Sequence, residues 1–218
     1  MRQEITVKIP DSWKDVTLRK YLDLQKDLEL HKDDELAQTH FTMYHLCGID
    51  VSIINSMTKE SSDKVKNALN NLIINQDLPL QRFITIDGIE YGFEPNLSKI
   101  SYGAYVDITK YDTLAIDNNW AKIMSILYRP VVDKKKERYQ IATYNGDIDD
   151  ELFYDVSMDV HFGAWFFFIN LQKDFLNVIL NFTNLNLPPN IKSILEKSGK
   201  VIHQSLNLQE ETSKKWIV

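Results

Sequence analysis

Apolar residues along this chain recur mostly at three- and four-residue spacing, the period of an amphipathic helix, and switch to alternation only in short stretches. Ile5, Val7 and Ile9 alternate and stop at Pro10, which predicts a short first strand. Thr17 is placed to cap a helix whose apolar face carries Leu18, Tyr21 and Leu22. Asp33 or Asp34 caps the next, with Leu36, His40, Met43, Tyr44 and Cys47 on one face and Gly48 at its end. A helical turn around Val51 to Met57 leads to Thr58 and Ser61, which open a helix through Val65, Leu69 and Leu72 to about Ile74.

Past Pro79 the period changes. Arg82 to Ile86 and Ile89 to Phe93 flank Asp87-Gly88, a pair that readily takes the positive φ angles of a two-residue hairpin turn. After Pro95, Ser98 or Ser101 starts a short helix through Tyr105 and Ile108. Asp117 is expected to cap a helix carrying Trp120, Ile123, Met124, Leu127 and Tyr128, with Pro130 stopping it. Tyr139, Ile141 and Thr143 alternate as a strand would, and Asn145-Gly146 turns the chain. From Leu152 to Phe182 the period is helical, with a break expected at Gly163, and this most apolar element is expected at the centre of the core. Leu187-Pro188-Pro189 interrupts it, before a helix near Ile191 to Leu206 and a polar tail ending in Trp216-Ile217-Val218.

These elements predict an α+β, mainly α-helical fold: a helical body with a small β element around the Asp-Gly hairpin. Three stretches follow: 1–78 with the first strand and helices, 79–187 with the hairpin and core helices, continuous with 1–78 as one globular unit, and 188–218 with the last helix and tail. Seven glycines and six prolines in 218 residues are too few for a sandwich or barrel with turns every few residues.

Charge and chemistry then remove function classes. A net charge of −6 argues against general nucleic-acid binding, which needs a basic face. The run Lys134, Lys135, Lys136 and Arg138 is interrupted by Asp133 and Glu137, and is read as a solvated loop or edge strand. A single cysteine, Cys47, excludes an internal disulfide, and the N-terminus has no apolar signal core, so folding in a reducing cytoplasm is expected. Polar residues from Asn170 to Asn177 interrupt the most hydrophobic window, so no membrane span is expected.

No glycine-rich phosphate loop is present, and the five histidines never take metal-ligand spacing, so no nucleotide, metal or other cofactor is expected. Asp147, Asp149 and Glu151 start like a calcium loop, but Leu152 stands where the turn glycine is needed, and a helix N-terminus explains the acids more simply. His40, His45 and Cys47 read as packing residues. Nothing selects a catalytic pair from 31 acids, so no catalytic residue is assigned and the chain is read as a non-enzyme. The run Trp165-Phe166-Phe167-Phe168 points all round a helix, which must be covered by core or by a partner. Trp165, Phe167 and Trp216 are the candidate partner-binding residues.

One resemblance reaches further. Ile9-Pro10-Asp11-Ser12-Trp13 with Val16-Thr17-Leu18, then Leu46-Cys47-Gly48-Ile49-Asp50, Ile84 to Phe93 with Asn96-Leu97-Ser98, Trp120 with Leu127-Tyr128-Arg129-Pro130, and Gly163-Ala164 follow one another in order. Over roughly Ile5 to Phe182 this resembles a family of small proteins of the structural modules of tailed bacteriophages, especially the crAss-like phages of Bacteroides. The resemblance implies a non-enzymatic virion protein of the tail module, made in the host cytoplasm and carried as cargo. It would act through contacts with other phage structural proteins of the tail or portal region, or with copies of itself. A tail-assembly chaperone not retained in the particle is the near alternative, from which the tail after Pro189 departs. A small host-phase enzyme or regulator is the competing class.

Overall fold

A computed structural model describes residues 6–74, 78–136 and 138–186. The predicted class is the observed one: among these residues eight α-helices accompany one four-stranded antiparallel sheet. The chain divides into two compact units, Met1–Phe166 and Phe167–Val218. The predicted helix near Ile191 to Leu206 and the tail lie outside the described residues.

Local rules account for the first helices. Thr17 caps α1 (Leu18–Leu30), its side chain accepting from the Lys20 N–H; Asp34 caps α2 (Glu35–Cys47) through the Ala37 N–H, and Gly48 closes α2 at φ 65°. A contact of 2.7 Å joins His45 Nε2 to Asp27 Oδ2 across α1 and α2. Helices α3 (Val51–Ser56) and α4 (Lys59–Ile74) follow, α4 burying Val65, Leu69 and Leu72. Residues 6–10 form no regular element, so the alternation of Val7 and Ile9 does not become a strand. Nothing in the sheet pairs with them.

The hairpin forms as read. Strand β1 (Phe83–Ile86) pairs with β2 (Ile89–Phe93) across Asp87 and Gly88, at φ 50° and 80°. The Phe93 N–H donates to the Arg82 carbonyl at 2.9 Å. Antiparallel pairs alternate, so Ile84 and Ile86 also face β2 with their backbone groups, while those of Phe83 and Thr85 face outward. One sheet face carries Ile84, Tyr91 and Phe93, all buried, with Tyr91 and the adjoining Tyr128 ring near Phe153.

Ser101 rather than Ser98 caps α5 (Tyr102–Ile108). Helix α6 (Trp120–Leu127) corrects two expectations. Asn119 stands at its cap without a side-chain capping bond, its Oδ1 instead accepting from Lys122 Nζ at 3.3 Å, while Asp117 accepts from the Asn119 N–H one step earlier. The helix also ends before Tyr128, and the chain passes directly into β3 (Tyr128–Lys135), where Tyr128, Arg129 and Pro130 pair with Phe93, Gly92 and Tyr91. Pro130 is tolerated in an inner strand because Tyr91, opposite it, turns its own N–H and C=O toward β1. The missing donor removes no bond to β2.

Strand β4 (Arg138–Ile141) pairs with β3 as its alternation predicts. Its side chains lie over β2: Tyr139 donates its hydroxyl to the Phe93 carbonyl at 2.6 Å, and its ring meets Phe83 at 4.6 Å. A Cβ at Gly92 would come within 2.9 Å of both Tyr139 and Ile141, so the fold-over needs glycine there. The basic run occupies the exposed end of this hairpin, with Lys134 bonded to Glu90 at 2.7 Å and Lys135 to Asp133 at 3.4 Å.

The expected helix from Leu152 breaks between α7 (Glu151–Tyr154) and α8 (Met158–Asn186), not at Gly163. Its cause is pairing. Leu18 N–H donates to the Val156 carbonyl and Met158 N–H to the Val16 carbonyl, at 3.1 and 2.7 Å, forming an isolated bridge that holds this link extended. Gly163 instead lies within α8 where the helix crosses the chain at Pro79; a Cβ there would sit 2.6 Å from the Pro79 carbonyl oxygen. Gly163→Ala should therefore lower stability by about 1–3 kcal/mol, the usual cost of overpacking, despite the better helix propensity of alanine. An unchanged or raised melting temperature would show that the contact yields cheaply.

Core position follows the first turns of α8 only. Met158, Val160, Phe162 and Ala164 are buried, as are Trp120 and most of α6, whereas Leu171, Phe175 and Val178 are exposed. The expectation that the whole apolar element is central holds for its first half. Trp13 Nε1 is buried without a hydrogen-bond partner among the described residues, its ring edge-on to Phe162 at 4.9 Å and Tyr21 at 6.2 Å.

Candidate functional site

In the second unit, α8 presents an apolar stripe. Leu171, Phe175 and Val178 are 47, 64 and 65% exposed, an unusual share of water contact for three large apolar side chains on one helix face. Their spacing is four then three, the spacing by which one helix packs against another.

The candidate aromatic residues are placed separately. Trp165 belongs to the first unit, half-buried, with its indole N–H donating to the Leu114 carbonyl at 2.8 Å and its ring 5.2 Å from Phe166. Phe167 belongs to the second, half-buried, edge-on to Phe168 at 5.5 Å and one turn before Leu171. Trp216 lies outside the described residues. Leu171, Phe175 and Val178 were not singled out from the sequence, although their 4–3 spacing was there to be read; the all-round apolar character of the segment hid the stripe.

In the first unit, an open groove of about 780 Å3 runs between β1 and the α7–α8 link. Ile84, Leu152, Val156 and Val160 supply its apolar part, and Asp87, Glu90, Glu151 and Asp155 its charge. Arg19 donates to Glu151 at 2.6 Å and to Asp155 at 3.2 Å, contacts that hold the Arg19 guanidinium above its ordinary range. Asp159, buried in the first turn of α8, accepts from Gln81 at 2.7 Å and from the Ser157 hydroxyl at 2.5 Å. That carboxylate is satisfied within the fold.

Among the described residues, Cys47 and two histidines are taken up by the fold. Burial pushes the Cys47 thiol up to about 11, so it keeps its proton near neutrality and is a poor nucleophile. His45 is held by Asp27, and His161 is enclosed in the core. Among the described residues no group of three or more His, Cys, Asp or Glu is placed to hold a metal ion, and no helix is long and apolar enough to cross a membrane. No protein-family model, curated protein or solved structure matches this chain.

Proposed function

We propose that this chain is a non-enzymatic component of a tailed-bacteriophage particle, carried in the tail module, that works by gripping other structural proteins. The observation that carries the contact role is the exposed 4–3 stripe of Leu171, Phe175 and Val178, which fits an apolar helix of a partner. The phage assignment rests on the ordered motif resemblance between Ile5 and Phe182. Phe167, one turn before Leu171, extends the contact, and Trp216 is a second candidate anchor.

Mass spectrometry of purified particles is the direct test: the chain should be present at fixed stoichiometry. A chain that co-purifies with tail proteins from infected cells yet is missing from particles would instead be an assembly chaperone. Within the particle reading, Phe175→Glu should leave stability within about 0.5 kcal/mol, as surface substitutions usually do, while cutting incorporation. Incorporation at the wild-type level would remove the stripe from the contact.

A further inference from the structure

We propose that the groove beside β1 receives an extended, cationic segment of a partner polypeptide, which pairs with β1 as an added strand. The sheet order β1-β2-β3-β4 leaves β1 at an edge. Phe83 and Thr85 point their backbone N–H and C=O groups away from β2, into the groove they line. Edge strands usually carry a device against such pairing, a lysine, a proline or a bulge. Strand β1, Phe-Ile-Thr-Ile, has none of these.

The second half of the recognition is charge. Asp87, Glu90, Glu151 and Asp155 line the groove, and among the described residues its lining contains no lysine or arginine. Arg19 and Lys134 reach three of these carboxylates from outside the groove. Four acids against two bases leave the rim negative. A strand with alternating side chains would place one set toward Leu152, Val156 and Val160 and the other beside the acids, so the fitting occupant alternates apolar and basic residues. The groove lies wholly in the first unit and does not depend on the α8 stripe or on the phage assignment.

The test uses the full chain and a fluorescent peptide of about six residues, the common strand length, alternating Lys and Val. Saturable binding that weakens with added salt is expected. The same peptide N-methylated at alternate backbone positions keeps its charge but loses its donors, and should bind about tenfold more weakly or worse; a Glu/Val peptide should fail likewise. Thr85→Pro removes an outward N–H that takes no part in the hairpin, so it should lose the peptide while keeping the circular-dichroism melt. Asp87→Asn neutralises one rim acid and preserves the turn, and should weaken binding severalfold. No saturable binding of the Lys/Val peptide, or equal binding of its N-methylated form, overturns the proposal even if Thr85→Pro fails to fold.

Discussion

Replacing Arg129 by methionine is expected to destabilise the fold by about 3–5 kcal/mol, the cost of leaving a buried charge without its partner. Arg129 and Glu94 are only 13 and 10% exposed at their side chains, with Nη2 to Oε2 at 2.6 Å. The same guanidinium donates to the Ile126 carbonyl at 2.6 Å and to the Ala142 carbonyl at 2.8 Å. One side chain thus joins the end of α6, the segment after β2 and the segment after β4. Methionine keeps the apolar stem, so the loss reports the charge and its hydrogen bonds rather than volume.

A denaturant midpoint close to wild type in Arg129→Met would sink this account. The double variant with Glu94→Leu sharpens it. Removing both partners leaves no stranded charge, so its stability should recover part of the single-variant loss, a coupling visible as non-additivity in the double-mutant cycle. If the two losses add, the pair is not a unit.

Such a role could not be read from the sequence, although Leu127-Tyr128-Arg129-Pro130 stood out as a motif. Proline after an apolar helical run reads as a stop signal, and the helix does stop. The sequence has no way to show that Phe93, Gly92 and Tyr91, more than thirty residues earlier, would draw Tyr128–Pro130 into a strand. Caps and turns were legible for the opposite reason: Thr17, Asp34, Gly48 and Asp87-Gly88 act within three or four residues of themselves. Gly163 failed as a break because its reason is spatial, the Pro79 carbonyl against the helix. The break itself comes from Val16 and Leu18 pairing with Met158 and Val156, far along the chain. Of the candidate site, the helix bearing the apolar surface was legible; which face stays uncovered depends on what packs where, and the open edge of β1 exists only once β2 has chosen its other neighbour.

Acid should destabilise this protein through one histidine. His161 is fully buried, and burial pushes its imidazole down to about 4, against smaller opposing effects of the Phe153 and Val156 carbonyls and Asp159. Its partners fix the tautomer. Trp120 Nε1 only donates, so Nδ1 at 3.2 Å must accept; the Phe153 carbonyl only accepts, so Nε2 at 3.1 Å carries the hydrogen. A proton added at Nδ1 would set donor against donor inside the core. In the unfolded chain the imidazole titrates near 6.5, so between about 6.5 and 4 the unfolded state holds the extra proton and the folded state does not. Stability from this group is therefore fully present above pH 6.5 and is lost as pH falls toward 4, by roughly 3 kcal/mol in all at 1.36 kcal/mol per unit. The wild-type curve sums every group that binds protons, so it alone does not isolate the effect. The difference between wild type and His161→Phe does: the variant should be less stable at pH 7, where the Trp120 donor has lost its acceptor, and the gap should narrow on acidification as the unfolded wild type gains its proton. A gap that stays constant from pH 7 to pH 4 would mean that His161 takes up its proton equally in both states, and that the buried Trp120–His161 pair is open to water.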